Sequence, residues 1–383
     1  MCSARVARLL SLQQPRGDGD EGPLLRSGKK PALENHSPQT KGATDMASLT
    51  LFVGLDYHQS SVQVCAMDAS GKVLVNRRCP NCRQTIVAVV HRFGNRVQAA
   101  IEACSGAAEL ADELVQHEGW SVDLAHPGYV ARLKRSPDKT DFGDAQLLAD
   151  LERVGYLPRV WLAPEPLREL RRLVRYRQQL AQQRRNVKLR IRALLRDLRL
   201  VVPAGRSPWT RSWFAWLQTT DVFAEQTRWI MDRHLAELKR LNSEVRDVEA
   251  RLAIVVKDDA MVQTLMQTPG IGLITAVTLR AEIGRFDRFR SGKQLARFCG
   301  LSPRNASSGQ RQADAGLIKA GNPQLRAVLM EAAHRLMRYE DRWVRLGHSL
   351  KSQGKANSLV VVAVANRWIR WLYHQMPSLD LAA

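Results

Sequence analysis

Four acidic side chains have the residue types and spacing of a metal site. Asp56 ends the apolar run LFVGLD, Glu102 ends the run QAAIE, and Asp141 and Asp144 lie three residues apart in KTDFGDA. Hard divalent cations such as Mg²⁺ prefer oxygen ligands, and carboxylates are their usual protein ligands. Two such ions can hold the attacking and leaving oxygens of a phosphodiester. The four carboxylates therefore predict an Mg²⁺ site suited to phosphodiester chemistry.

The elements around these acids predict an α/β domain over residues 49–160. Three short alternating runs in 49–78, separated by turn residues, indicate strands, and a fourth strand ends at Glu102. Helices are predicted at about 81–93, 106–118 and 141–154, with a strand between the second and the third. This order indicates a mixed sheet with helices on its faces. Asp141 and Asp144 would then share one face of a helix.

His58 follows Asp56 by two residues, between the first two predicted strands. At this position His58 could either form part of the turn or contact a phosphate, and we favour the turn.

Composition indicates a polyanionic partner. The 383 residues contain 58 Lys and Arg against 37 Asp and Glu, a formal net charge of +21. Such an excess is typical of proteins that bind nucleic acid or an anionic membrane surface. No run of about 20 apolar residues predicts a membrane span. The scattered cysteines, without a second close pair beside Cys79 and Cys82, indicate reduced thiols in a cytoplasmic protein rather than a zinc site.

Residues 1–48 are polar and irregular. We interpret them as a flexible extension, with Met46 as an alternative start.

Two long helices are predicted in the second region, 161–260. The first, 167–199, contains 11 Arg and 1 Lys against two acids, and its cations form a candidate face for nucleic acid. The alternative is a solvated face whose Arg stems cover the apolar stripe. We assign the nucleic-acid contacts to Arg171, Arg172, Arg175, Arg184, Arg185, Lys188 and Arg192. The second helix, about 225–256, has a heptad seam from His234 to Val255, which would close on the first helix or join two subunits.

The third region, 261–383, is predicted to be mostly helical. Its PGIG turn at 269–272 is similar to a helix-hairpin-helix module, in which backbone N–H groups at a helix start meet a phosphate. A polar loop over 302–322 carries Ser307, Ser308 and Lys319, and helices are predicted at about 323–347 and 356–375. A loop of this length between helices is more often functional than not. A serine hydroxyl there could attack a phosphodiester if cations held the phosphate.

Seven motifs, in order and spacing, resemble those of the IS110 family of insertion-sequence transposases, the DEDD transposases. They are GLD at 54–56, IEA at 101–103, KTDxxDA at 139–145, PGIGxxTAxxLxAEIG at 269–284, FCGLSPR at 298–304, SSG at 307–309 and KAGNPQLR at 319–326. The resemblance covers roughly residues 50–375.

The resemblance implies an N-terminal RNase H-like, RuvC-like domain whose four catalytic, metal-binding acids are Asp56, Glu102, Asp141 and Asp144. It implies a C-terminal serine domain whose nucleophile is Ser308, with Ser307 as the alternative. It further implies donor and target DNA as substrates, a structured noncoding guide RNA bound in part by the basic helix and Lys319, and a homodimer or homotetramer with a composite site. Two rival hypotheses are a Holliday-junction-type or general metal-dependent nuclease and a non-catalytic nucleic-acid-binding protein.

Overall fold

The computed structural model of the protein describes residues 50–133, 140–305, 314–318 and 321–376. Its chain divides into two compact units, 1–158 and 159–383, which we describe separately.

The first unit is built on a mixed β-sheet. Its strands are β1 (Thr50–Tyr57), β2 (Ser61–Met67), β3 (Val73–Pro80), β4 (Arg96–Glu102) and β5 (Ser121–Ala125), and a two-residue strand, β6 (Arg159–Val160), marks the point at which the chain enters the second unit. Within this unit the sheet order is β3-β2-β1-β4-β5. β1 is antiparallel to β2 and parallel to β4, and β4 is parallel to β5. This arrangement is compatible with the RNase H-like fold expected from the sequence.

Four helices belong to this unit: α1 (Arg83–Val90), α2 (Ala107–Glu118), α3 (Pro127–Leu133) and α4 (Asp141–Arg153). The predicted mixed sheet with helices is confirmed, whereas α3 was not predicted. β2 is buried along its whole length, as expected for a strand inside a sheet with a covered face.

The second unit is mostly helical. Its helices are α5 (Glu165–Asp197), α6 (Arg211–Thr219), α7 (Glu225–Val255), α8 (Ala260–Met266), α9 (Leu273–Ile283), α10 (Gly292–Phe298), α11 (Pro323–Tyr339), α12 (Asp341–Ser352) and α13 (Asn357–Gln375). Two short antiparallel strands, β7 (Pro303–Asn305) and β8 (Asp314–Leu317), lie within the stretch predicted as a loop. No helix of the described residues is long and apolar enough to cross a membrane.

The two long helices form an antiparallel pair. Arg177 of α5 bonds to Glu249 of α7, and Arg190 of α5 pairs with Glu237 of α7. The partner's residue number thus falls along α7 as the number rises along α5. The seam residues of α7 pack against α5 within the chain, as in the first of the two arrangements left open by the sequence. The buried residues of α7 run from Met231 to Leu252, and Val255 at the end of the predicted seam is half exposed.

The prediction of a single helix over 323–347 is wrong. α11 ends at Tyr339 and α12 begins at Asp341, because Glu340 adopts an extended backbone (φ −126°) and its carboxylate accepts a hydrogen bond from the N–H of Trp343. Glu340 is thus an N-cap, the role that an acceptor side chain takes at a helix start.

Candidate metal centre and basic surfaces

The carboxyl end of β1 and the start of α4 form the candidate metal centre. Asp56 lies near the end of β1, and Glu102 is the last residue of the neighbouring parallel strand β4. Because Leu55 and Ile101 are register partners, Asp56 and Glu102 follow them side by side at the same edge of the sheet. Successive side chains of a strand alternate between faces, so both acids face the side of the sheet opposite to Leu55 and Ile101.

Helix α4 begins at the first of the two paired acids. Thr140 is its N-cap, with an extended backbone, and its hydroxyl accepts a hydrogen bond from the N–H of Gly143 at 3.1 Å. Asp141 heads a stripe with Ala145 and Ala149, which share a buried cluster with Cys65 and Met67 of β2. Asp141 therefore lies on the side of α4 that faces β1 and β2.

Asp144 heads the adjacent stripe of α4. Leu148 and Leu151, four and seven residues further on, pack with Ala100 of β4 and Ala125 of β5. Residues spaced by three and four share a helix face. Asp144 thus lies on the side of α4 that covers β4, the strand that ends in Glu102.

A glycine lets α4 approach the sheet closely enough to bring its first turn to β1. A Cβ placed on Gly54 would lie 1.9 Å from the carbonyl oxygen of Ala145 and 2.6 Å from the nitrogen of Ala149. Only hydrogen fits there, so the missing side chain of Gly54 and the small residues opposite set the helix-to-strand distance.

A chain of amide hydrogen bonds also fixes the first turn of α4. Gln63, the cross-strand partner of Asp56, donates to Asn76 of β3 at 2.7 Å. Asn76 in turn donates to the carbonyl oxygen of Phe142 at 3.0 Å. The turn that carries Asp141 is therefore tied to β2 and β3.

These constraints bring three ligand atoms together. His58 Nε2 lies 3.4 Å from Asp56 Oδ2 and 3.3 Å from Asp141 Oδ2, and one ligand atom from each of the three residues falls within 4.8 Å of the others. Within the described part of the chain, this is the group of His, Cys, Asp and Glu side chains that could hold a metal ion. The structure thus unites two of the four predicted acids and adds a histidine.

The geometry fits a shared cation. His58 Nε2 is buried from solvent and has no hydrogen-bond partner among the described residues, although two carboxylate oxygens lie near it. Ligands about 2.1 Å from an octahedral ion lie roughly 3 Å from each other, close to the observed separations. A ring nitrogen and two carboxylate oxygens form a donor set that divalent metals accept.

Glu102 belongs to the same neighbourhood although it is outside this group of three. Desolvation raises the pKa of the Cys104 thiol, and the nearby charges of Glu102 and Asp56 raise it further. Both carboxylates therefore act on one thiol just beyond the end of β4.

His58 was assigned to the turn by the sequence prediction. Its backbone N–H does bond to Ser61 O across the β1–β2 connection, but its side chain points to the acids. The spacing D-x-H was the available signal, since it puts the histidine just beyond the strand that carries Asp56.

The candidate nucleic-acid residues of α5 take three different environments. Arg171 donates to the carbonyl oxygen of Ala281 at 2.5 Å, and burial lowers its pKa. Arg175 makes two hydrogen bonds to the buried carboxylate of Glu282, at 2.9 and 3.0 Å. These two side chains hold the end of α9.

The remaining cations of the predicted face lie nearer the surface and have different partners. Arg172 pairs with Glu165 and Glu169 on the surface of α5. Arg184 reaches Asn242 of α7 at 3.5 Å, whereas Arg185 is exposed. Lys188 and Arg192 stack on Trp209, with ring-centroid distances of 4.8 and 5.3 Å. Desolvation lowers the pKa of Lys188, and the neighbouring charges of Arg184 and Arg192 lower it further.

Three predicted site residues, Ser307, Ser308 and Lys319, lie outside the described residues. The PGIG turn joins α8 to α9, with Gly270 at φ +87° and Gly272 as the N-cap of α9. Its role as a phosphate site stays a prediction.

A mixed sheet that carries acids at adjacent strand ends, followed by a basic helical unit, is typical of enzymes that act on nucleic acid. Two family models match the chain. One, described as a transposase of the DEDD IS110 type, covers residues 53–199, and the other, the transposase IS116/IS110/IS902 family, covers residues 262–348. The chain belongs to the IS110 family of transposases.

Curated relatives agree with this assignment. The chain is 26% identical over 325 residues to the transposase for insertion sequence element IS1111A of Coxiella burnetii. The aligned region covers 83% of this chain and 88% of the relative. It is also 26% identical over 344 residues to the transposase for insertion sequence element IS1328 of Yersinia enterocolitica, with coverage of 85% and 96%.

Proposed function

We propose that this transposase moves an insertion-sequence element by metal-dependent cutting and rejoining of DNA, with the acidic cluster as half of its active site. The observation that carries the proposal is the convergence of Asp56, Asp141 and His58 at the end of β1 in a chain of the IS110 family. His58 Nε2 is buried from solvent and lies 3.4 Å from Asp56 Oδ2 and 3.3 Å from Asp141 Oδ2, an arrangement that a shared cation would stabilise.

Mg²⁺ is the cation we propose for this centre, held by Asp56 and Asp141 with support from Glu102 and Asp144. When bound, it supplies Lewis-acid stabilisation to the charge that develops on a scissile phosphate. Asp56 is the more buried of the two central acids, with 17% of its side chain exposed against 38% for Asp141. Asp56 would therefore anchor the ion, and the more open side at Asp141 would admit the phosphate.

Two finer parts of the proposal rest on the family resemblance. We propose Ser308 as nucleophile, with Ser307 as the alternative. Its hydroxyl oxygen would bond to phosphorus while one deoxyribose oxygen leaves and takes up a proton, so that the phosphodiester is conserved as a phosphoserine link. We also propose a noncoding guide RNA, bound in part by Lys319 and by the outward cations of α5: Arg172, Arg184, Arg185, Lys188 and Arg192. A homodimer or homotetramer would complete the site.

The test uses the full-length protein with a plasmid that carries the element ends. Asp56→Asn and Asp141→Asn should each lower strand cleavage by at least about 100-fold, since even outer-shell changes at metal sites cost 10- to 100-fold. The matched control is Glu113→Gln, which removes an exposed carboxylate of α2 in the same unit. Mn²⁺ binding, followed by electron paramagnetic resonance, should weaken in the two Asp variants and stay unchanged in the control.

The rival functions predict different outcomes. A nuclease that uses water would keep full cleavage when Ser307 and Ser308 are both replaced by Ala, whereas the proposed mechanism loses the covalent protein–DNA product. A non-catalytic binding protein would keep recombination in Asp56→Asn. RNA that co-purifies with the wild type and is lost from a variant lacking Arg185, Lys188 and Arg192 would support the guide.

A further inference from the structure

A groove in the C-terminal helices combines cations with aromatic rings. It lies between α12 and α13, has a volume of about 580 Å³, and its lining includes Arg342, Trp343, Arg367, Arg370, Trp371 and His374. We call these six residues the basic–aromatic groove. None of the residues that line it is acidic.

The groove continues across α13. A second depression of about 370 Å³ is also lined by Arg370 and His374, and adds Arg290 and Lys293 at the start of α10. Its lining likewise contains no Asp or Glu. Five Arg and Lys side chains therefore border one continuous surface.

These five cations have no carboxylate partner within the described residues, in contrast to many arginines of the same unit. Arg172, Arg175 and Arg177 each pair with a glutamate. The side chain of Arg367 reaches only the carbonyl oxygen of Ala363, at 3.4 Å. Unpaired cations that line a concave surface produce a positive potential that attracts a polyanion.

The rings give the groove a second property. Arg342 lies over both tryptophans, with its guanidinium carbon 4.9 Å from the ring centroid of Trp343 and 5.6 Å from that of Trp371. Trp343 is buried and orients this arrangement, whereas Trp371 is only partly buried and faces the groove. A tryptophan face beside an arginine plane is the kind of surface on which unpaired bases stack.

Duplex DNA keeps its bases stacked on each other and would use only the cations. We propose that the basic–aromatic groove binds a single-stranded segment of DNA, with Arg367 and Arg370 at its phosphates and Trp371 under a base. DNA is the strand we assign because the family acts on DNA. The α13 residues of the groove lie beyond residue 348, where the family match ends, so the match does not assign them.

The test measures binding of a labelled oligothymidylate of roughly 16 nucleotides, at the upper end of single-strand site sizes, by fluorescence anisotropy. The full-length protein is used in EDTA, so that the acidic metal centre contributes nothing and failure of the proposed chemistry leaves this result unaffected. Salt is varied from about 50 to 200 mM. A duplex and a single-stranded RNA of the same sequence and length are measured in parallel.

Two variants separate the two properties. Arg367→Gln with Arg370→Gln should lower the slope of log K against log salt by about 1.4, since each phosphate contact to a single strand contributes roughly 0.7. The matched control, Arg251→Gln with Arg338→Gln, removes the same charge from exposed positions outside the groove. Trp371→Leu should weaken binding about 10-fold or more with an unchanged slope, as expected for loss of stacking.

Thermal unfolding shows whether the Trp371→Leu variant is still folded, because the ring of Trp371 also packs against neighbouring helices. The exposed arginine pair provides a test that does not depend on core packing. Arginine variants that match the control would overturn the proposal. An equal loss of duplex and single-strand binding in Trp371→Leu would overturn the stacking role, and tighter, groove-dependent binding of RNA would overturn the assignment to DNA.

Discussion

Replacing Gly54 by Ala should disable the metal centre without touching any of its ligands. The new Cβ would lie 1.9 Å from the carbonyl oxygen of Ala145, and Cβ contacts below 3.0 Å essentially do not occur. The clash is with backbone on both sides, so no side chain can rotate away from it. Either α4 or β1 must therefore retreat by about 1.1 Å, the difference between these distances.

The retreat moves a ligand because Asp141 lies on the same stripe of α4 as Ala145. A rigid shift of about 1.1 Å along the line to His58 would lengthen the 3.3 Å separation of Asp141 Oδ2 and His58 Nε2 to about 4.4 Å. We expect the dissociation constant of Mn²⁺ to rise at least 10-fold. That is the lower bound of the affinity loss when a residue that orients a metal ligand is changed. Overpacking should also lower the free energy of unfolding by about 1–3 kcal/mol.

Electron paramagnetic resonance of Mn²⁺ and urea unfolding followed by circular dichroism measure the two effects. Gly272→Ala is the control, because Gly272 has φ −98° and no atom lies within 4 Å of a Cβ placed on it. Unchanged Mn²⁺ affinity in Gly54→Ala would refute the conclusion that close helix-to-strand packing sets the site.

The sequence predicted β1 to β5 and α4 because local signals determine them. Alternating apolar residues and hairpin turns act within a few residues of the elements they define. The same signals place Asp56 and Glu102 at strand ends. The parallel pairing of β1 with β4 then makes them neighbours, which the mixed sheet implied but the sequence did not establish.

What the sequence could not reveal depends on distant packing. His58 approaches Asp141 only because Gly54 admits α4, and the two residues lie 83 positions apart in the chain. Likewise, the charge of α5 was visible, but nothing local indicates that Arg175 is matched by Glu282, a residue 107 positions away. Sequence identifies cations and acids, whereas tertiary contacts decide which of them the fold uses.

Two further predictions concern His58 and Glu282. Imidazole binds transition metals well, whereas Mg²⁺ prefers oxygen ligands. His58→Ala should therefore weaken the binding of Mn²⁺ more than the binding of Mg²⁺ in competition measurements. Equal weakening of both ions would contradict a ligand role for His58. Glu282 is only 3% exposed and accepts hydrogen bonds from Arg175 and Asn322, so Glu282→Ala leaves two partly exposed donors without their acceptor. We expect a loss of about 1–3 kcal/mol in unfolding free energy, the cost of leaving hydrogen-bonding groups without a partner, because the arginine that remains is half exposed. Glu169→Ala, which breaks an exposed pair with Arg172, should lower the unfolding free energy much less, and similar losses in both variants would show that burial does not set the energy of the Glu282 pair.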